Sequence, residues 1–287
     1  MDGLPYLGVG ISYRPKWRTE VLAQRGYRDC LEVIAEHYLN CSSEKLEELD
    51  RLRAAFPLIP HGVGVSFGTD APLDDAHVRK TVQLVERVQP AWFTEHLAFT
   101  HARGWNLGHL APLPFTHEAV EAVCRNVQRW REAVGVPLLL ENIAYMLTLP
   151  GDLSEAQFLT EVVERADYGL LLDLHNLYTN AVNHGYDTIE FLESLPLHRV
   201  IQIHLSGGHD EDGYRVDSHS GPTPEPVWDL LRYIAPRACM RAVIIEWDVQ
   251  LPSFDVMLRE VEKAKAILRG GTYGIARPAD RAGAALY

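Results

Sequence analysis

Pro137-Leu138-Leu139-Leu140-Glu141-Asn142 is a run of three leucines that stops abruptly at a carboxylate and an amide. A strand that is apolar at consecutive positions is buried on both faces, as happens where a helical layer encloses a parallel sheet. Val243-Ile244-Ile245-Glu246 repeats the pattern far along the chain. Working outward from these two, strands are predicted at Leu7 to Ser12, Cys30 to Glu36, Leu58 to Ser66, Trp92 to Leu97, Pro137 to Glu141, Gly169 to Asp173, Val200 to Leu205 and Ala242 to Glu246. Helical periodicity fills the intervals, at Ser43 to Ala55, Leu73 to Val88, Thr116 to Val134, Ser154 to Arg165 and Glu225 to Ile234, with Ser43, Thr116 and Ser154 standing where N-caps belong. Alternating strands and helices make βα units, and eight of them predict a (β/α)8 TIM barrel. An open dinucleotide-binding sheet would need a G-x-G-x-x-G after its first strand, and there is none.

The chain has 287 residues, close to the roughly 250 of one such barrel. The expectation is one catalytic domain over 1–269 and a loosely ordered tail, rich in Gly, Ala and Arg, over 270–287. Hydrophobic residues make up 47% and charged residues 23%, enough for a sizeable core. A net charge of -12 argues against nucleic acid as a partner, because binding it requires neutralised phosphates. No apolar run reaches the roughly 18 residues of a membrane span, and Met1 to Tyr6 does not resemble a signal peptide, so no membrane association and a cytoplasmic location are expected. The four cysteines form no C-x-x-C pair; Cys30 and Cys239 read as small buried hydrophobes. Trp17, Trp92, Trp105, Trp130 and Trp228 read as packing residues.

Barrel enzymes carry their chemistry at the C-terminal ends of their strands. Here strand three ends in His61, strand four in Glu95-His96, strand five in Glu141-Asn142, strand six in Asp173-Leu174-His175-Asn176, strand seven in His204 and strand eight in Glu246-Trp247-Asp248, while the loop after strand seven adds Asp217-Ser218-His219. Carboxylates converging on one rim repel one another unless cations lie among them. Histidine with carboxylate suits first-row divalent metals, and the lack of thiolates argues against a structural zinc site or an iron–sulfur cluster. So many ligands exceed the needs of one ion and fit two or three, bridged by carboxylates. Asp248, two residues beyond Glu246, reads as a catalytic proton acceptor, as an orienter of a ligand, or as one half of a salt bridge. Glu36-His37 reads as support for the ligands or as packing, and Asn183-His184-Gly185 as a turn.

In content and order, Gly8-Val9-Gly10-Ile11 with Tyr13-Arg14, Glu36-His37-Tyr38, His61-Gly62-Val63-Gly64-Val65-Ser66, Glu95-His96-Leu97-Ala98-Phe99, Leu140-Glu141-Asn142, Asn183-His184-Gly185, His204-Leu205-Ser206-Gly207-Gly208-His209 and Asp217-Ser218-His219 resemble the multinuclear non-haem iron-dependent oxidative enzymes, the MbnB/TglH-like group. The wider likeness is to the xylose isomerase and endonuclease IV barrels. The resemblance implies that His61, His96, Glu141, Asp173, Asn176, His204, Asp217, His219 and Glu246 hold two or three irons of mixed Fe(II)/Fe(III) valence, with O2 as co-substrate. It implies an oxidase that modifies cysteine in a ribosomally synthesised precursor peptide, in RiPP biosynthesis, with a separate partner protein binding the peptide's leader. One position departs from the pattern: the endonuclease has histidine where this chain has Asn176, whose amide oxygen is a weaker ligand. His175 is the second choice there, since neighbours in a strand-like segment point to opposite faces. The rival readings on the same barrel are a metal-dependent hydrolase or endonuclease-type phosphoesterase, a sugar isomerase, and a non-enzymatic metal-binding scaffold.

Overall fold

The apolar runs become eight parallel strands: β1 Gly8–Ser12, β2 Leu31–Ile34, β3 Leu58–Gly62, β4 Phe93–His96, β5 Leu138–Glu141, β6 Gly169–Asp173, β7 Val200–Leu205 and β8 Ala242–Ile245. Each pairs with the next and β8 returns to β1, closing the TIM barrel. The structure is a computed structural model and describes residues 3–23, 29–102 and 104–270. Nearly all of the predicted tail, 271–287, lies outside the described residues; Gly270 itself ends the last helix, Phe254–Gly270.

Strands β2 and β3 stop earlier than predicted. Glu36 already opens a short helix, Glu36–Leu39, and the backbone beyond Gly62 leaves the sheet to bond with side chains. The five predicted helices occur at Ser43–Arg53, Asp75–Val88, His117–Val134, Glu155–Ala166 and Glu225–Ile234. The first is capped by Ser42 rather than Ser43: Ser42 is the extended residue whose hydroxyl accepts from Lys45 N. Ser154 and Gln157 form a reciprocal capping box, an arrangement in which each partner satisfies an otherwise free N–H. Two antiparallel hairpins were not predicted, Phe99–Ala102 with Trp105–Ala111 and His209–Glu211 with Tyr214–Val216. Both follow C-terminal strand ends.

Two sets of apolar residues form the core. One lies between strands and helices; the other fills the barrel floor with Cys30, Ile59, Trp92, Leu139, Leu171 and Ile244. Above that floor the barrel interior turns polar, with Glu32, Thr94 and Gln202 fully buried. Cys30 is the buried hydrophobe expected, whereas Cys239 is exposed. Trp105 is 76% exposed on its hairpin and packs in no core, contrary to expectation. No helix among the described residues is long and apolar enough to cross a membrane.

Candidate metal centre

His61, Glu141, Asp173 and Glu246 each lie two residues beyond a floor residue, Ile59, Leu139, Leu171 and Ile244. A strand has a period of two, so each turns to the same inner face as its predecessor. On β7 the register shifts beside Leu170 and Leu171, with Ile201 as the extra residue, and Gln202 and His204 both come to the interior. Register then levels the groups: His96 pairs with Glu141 across β4 and β5, and Asp173 with His204 across β6 and β7.

Glu141 occupies the middle. One of its oxygens lies 3.5 Å from His61 Nε2 and 3.7 Å from His96 Nε2, and the other 3.4 Å from His204 Nδ1. Three sets of ligand atoms result, each with all members within 4.8 Å of one another: His61, His96 and Glu141; Glu141, Asp173, His204 and Glu246; His175, Asp217 and His219. Glu141 belongs to two sets. Glu246 joins the second to the third, lying 3.1 Å from His204 Nδ1 and 3.7 Å from His219 Nδ1. Eight of the nine residues singled out from sequence therefore share one continuous cluster with His175.

The ninth, Asn176, is buried beside it and donates through Nδ2 to Asn142 O. Residues 174–176 are not strand-like: helix Leu174–His184 begins directly after Asp173, whose carboxylate accepts from Asn176 N at 2.7 Å. His175, the second choice on strand geometry, therefore sits on a helical turn with Asn176, where two adjacent residues do not point to opposite faces. His175 Nδ1 lies 3.0 Å from Asp217 Oδ1, with its ring edge against Gly208.

These residues suit metal ions on two counts. Glu141 Oε2, Asp173 Oδ2, Asn176 Oδ1 and His204 Nδ1 are buried with no hydrogen-bond partner among the described residues, and atoms so placed are costly unless something satisfies them. Moreover, nitrogen and oxygen atoms 3.1–3.7 Å apart without hydrogen-bond alignment match the edges of a coordination polyhedron, about 3.0–3.5 Å for bonds of about 2.1 Å.

The imidazoles are held by their far nitrogens, as metal-binding histidines are. The Thr94 hydroxyl donates to Pro60 O, so it accepts from His61 Nδ1 at 2.8 Å and leaves Nε2 facing Glu141. His96 Nδ1 donates to Gly62 O at 3.0 Å with the same result. Burial, with the charges of His96 and His204, pushes the His61 pKa well below its ordinary value. Burial also opposes charge on His96, but Glu141 and Glu95 outweigh it and raise its pKa to about 9. Burial and the neighbouring Glu141 push Asp173 well upward. For Glu246, burial is overcome by the charges of His204 and His219, which bring it down to about 2.

Asp248 pairs with Arg14 and with His219 Nδ1, the latter at 3.2 Å. The salt bridge and the orienting contact anticipated for it thus occur together. His219 itself has a left-handed backbone, φ 46, a conformation that costs about 1–3 kcal/mol for a residue other than glycine.

Two further buried carboxylates lie at the site: Glu95, read from sequence only as part of a strand end, and Glu32, not singled out. Glu95 accepts from the N–H groups of Gly64, Val65 and His96 and so fixes the loop after β3. Glu32 bonds His204 from below. The available signal was Glu32 inside the apolar run Leu31-Glu32-Val33, a charge in mid-strand rather than at a strand end. Glu36 also supports the loop, accepting from Val63 N at 3.0 Å. Asn183 does more than make a turn: Gly185 caps the helix, while the Asn183 amide accepts from Arg215 N and donates to Arg215 O, at 2.8 and 2.9 Å.

A cavity of about 580 Å3 opens over the cluster, lined by His61, His96, Asp217, His219, Glu246 and Asp248 together with the exposed hairpin Trp105–Ala111. Among solved structures the fold is similar to the IOLI protein with a bound zinc atom (TM-score 0.57, 13% identity, covering 92% of this chain and 99% of that one). It is also similar to a D-psicose 3-epimerase crystallised with D-tagatose, from Clostridium cellulolyticum H10 (TM-score 0.54, 15% identity, 92% and 98%). At such identities these likenesses establish the barrel and nothing more. In sequence, the chain is 36% identical over 272 residues to a UPF0276 protein of Caulobacter vibrioides, covering 94% of this chain and 97% of the relative. A UPF0276 protein of Anaeromyxobacter sp. is 36% identical over 262 residues, 91% and 93% of the two chains. The signature described as "RiPP precursor modification enzyme MbnB/TglH/ChrH" matches residues 8–269, nearly the whole described barrel, and the chain belongs to that family.

Proposed function

We propose that this protein is an oxidase that uses two or three iron ions and dioxygen to modify cysteine in a ribosomally made precursor peptide. The observation that carries the reading is Glu141, one carboxylate facing three imidazoles from three strands and belonging to two ligand sets. A bridging carboxylate is what a multinuclear centre needs and a single-ion site does not. Histidine and carboxylate donors without thiolate suit iron. Iron held there would supply the redox chemistry for dioxygen and an anchor for a substrate thiolate.

The ligands in this reading are His61, His96, Glu141, Asp173, His204, Asp217, His219 and Glu246, with Asn176 or His175 completing the third position. Asp248, tied to Arg14, holds His219 in place at the cavity mouth. The family supports a peptide substrate, and the cavity over the cluster, bordered by the hairpin, is where such a chain would bind. A separate leader-binding protein, as the resemblance implies, completes the proposal.

The test is oxygen uptake by iron-loaded protein. Uptake should require a cysteine-bearing precursor peptide and vanish when serine replaces that cysteine. Zinc-only protein that hydrolyses phosphodiesters or epimerises a ketose, with no peptide-dependent oxygen uptake, would refute it.

A further inference from the structure

Below the cluster, the barrel interior holds a chain of polar groups that none of the ligand sets includes. Trp92 Nε1–H, which can only donate, lies 2.8 Å from Gln202 Oε1 and thereby fixes which end of that amide faces inward. The Gln202 NH2 is left pointing at Glu32, 2.6 Å from Oε2. His204 Nε2 lies 3.0 Å from the same oxygen and 2.9 Å from the Gln202 nitrogen. All three side chains, Glu32, Gln202 and His204, are fully buried.

We propose that Glu32 is a positioning residue that decides which nitrogen of His204 is offered to a metal ion, an inference that rests on the metal-centre reading above. Two groups compete for Nε2 of His204, the Glu32 carboxylate as acceptor and the Gln202 NH2 as donor. With Glu32 present, its carboxylate accepts the proton on Nε2, and Nδ1 is left with its lone pair toward Glu141 and Glu246, 3.4 and 3.1 Å away. Without that carboxylate, the Gln202 NH2 is the nearest partner of Nε2. An N–H aimed at Nε2 favours the opposite tautomer, whose proton sits on Nδ1 and blocks the ligand position. With Glu32 in place His204 presents Nδ1, while His61 and His96 present Nε2 because Thr94 and Gly62 O hold their Nδ1–H groups. The difference has a geometric origin: Glu32 lies on the floor side of His204, whereas the partners of His61 and His96 come from neighbouring strands.

The experiment uses Zn2+ as a diamagnetic probe on the full chain labelled with 15N-histidine, with long-range proton–nitrogen correlation reporting which ring nitrogen carries hydrogen. The wild type should show His204 protonated at Nε2 and His61 and His96 protonated at Nδ1. E32M, which removes both acceptor oxygens and keeps a side chain of similar length, should bind Zn2+ 10- to 100-fold more weakly and show the His204 proton moved to Nδ1. Q202L, which leaves the Glu32 contact in place, should keep the wild-type His204 pattern. Wild-type protein with the His204 proton on Nδ1, or E32M with unchanged Zn2+ affinity, overturns the role of Glu32 alone. Wild-type protein that binds no Zn2+ overturns the metal-centre reading with it. Should E32M fail to fold, the wild-type and Q202L spectra still decide.

Discussion

Replacing Glu141 with glutamine tests whether one carboxylate is shared between ions. Glu141 contributes to two of the three ligand sets, whereas Asp217 contributes to one. With one ion in each set, the three-ion form of the proposed centre, E141Q loses two ion positions and D217N loses one. Each ion held at a free concentration 100 times its dissociation constant adds about 2.7 kcal/mol of stability. For a chain of this size, 1 kcal/mol moves the unfolding midpoint by about 2 °C, so each ion is worth roughly 5 °C. Metal should thus raise the midpoint of the wild type by roughly 15 °C, of D217N by roughly 10 °C and of E141Q by roughly 5 °C, with elemental analysis showing the same order in ions bound per chain. The assay is a thermal melt with and without Fe(II) under anaerobic conditions, beside metal quantification. Equal losses in E141Q and D217N, or a full metal complement in E141Q, would refute the shared-carboxylate reasoning.

Asn183→Ala removes both bonds to the Arg215 backbone, and should lower stability by about 1–3 kcal/mol. Because Arg215 lies just before Asp217, metal analysis should show loss at the His175, Asp217 and His219 set before the others. Burial raises the Glu155 carboxyl to about 7 despite the hydroxyls of Tyr145 and Tyr186. The folded state thus holds its proton more tightly than the unfolded chain; the resulting stability is full below about pH 4.5, is lost as pH rises through about 7, and should have no counterpart in the urea midpoints of E155Q between pH 5 and 8. Gly62→Ala places a Cβ 2.5 Å from Glu95 Oε2, so it should displace the Glu95 clamp on the loop after β3 and lower both the melting midpoint and the metal content.

The barrel was legible because its strands are apolar on both faces and end in polar residues at the same relative position, as Leu140-Glu141 and Ile245-Glu246 do. The strand ends supplied the candidates and the resemblance supplied the ligand set; period-two geometry explains why His61, Glu141, Asp173 and Glu246 turn to one inner face. Reading failed where backbone direction changes within one or two residues. Asp173 is both strand end and helix cap, and nothing in Leu174 to Asn176 distinguishes helix from strand, so the side-chain directions of His175 and Asn176 were not legible. The hairpin Trp105–Ala111 reads as a loop because Asn106 and Gly108 interrupt it, and its tryptophan looked like core. Glu32 gives no strand-end signal because it stands in mid-strand, and its contacts are with Gln202 and His204 from a strand about 170 residues away.

The backbone around the site makes sense as the consequence of one demand. Groups that repel or desolvate one another must be held within a coordination distance even before any ion binds, and side-chain packing alone does not do this, since rotamers that separate charges would be preferred. The structure instead fixes four imidazoles from behind with a directional bond: Thr94 for His61, Gly62 O for His96, Glu32 for His204, Asp248 for His219. Strain is tolerated where such a bond requires it, as in the left-handed backbone of His219, whose carbonyl accepts from Asp248 N at 2.8 Å while its ring meets the Asp248 carboxylate. A scaffold that served only to fold would shed these features, because each replaces apolar interior with polar groups that need partners. Their concentration at one end of one barrel is therefore an argument for preorganisation toward ions, independent of family membership.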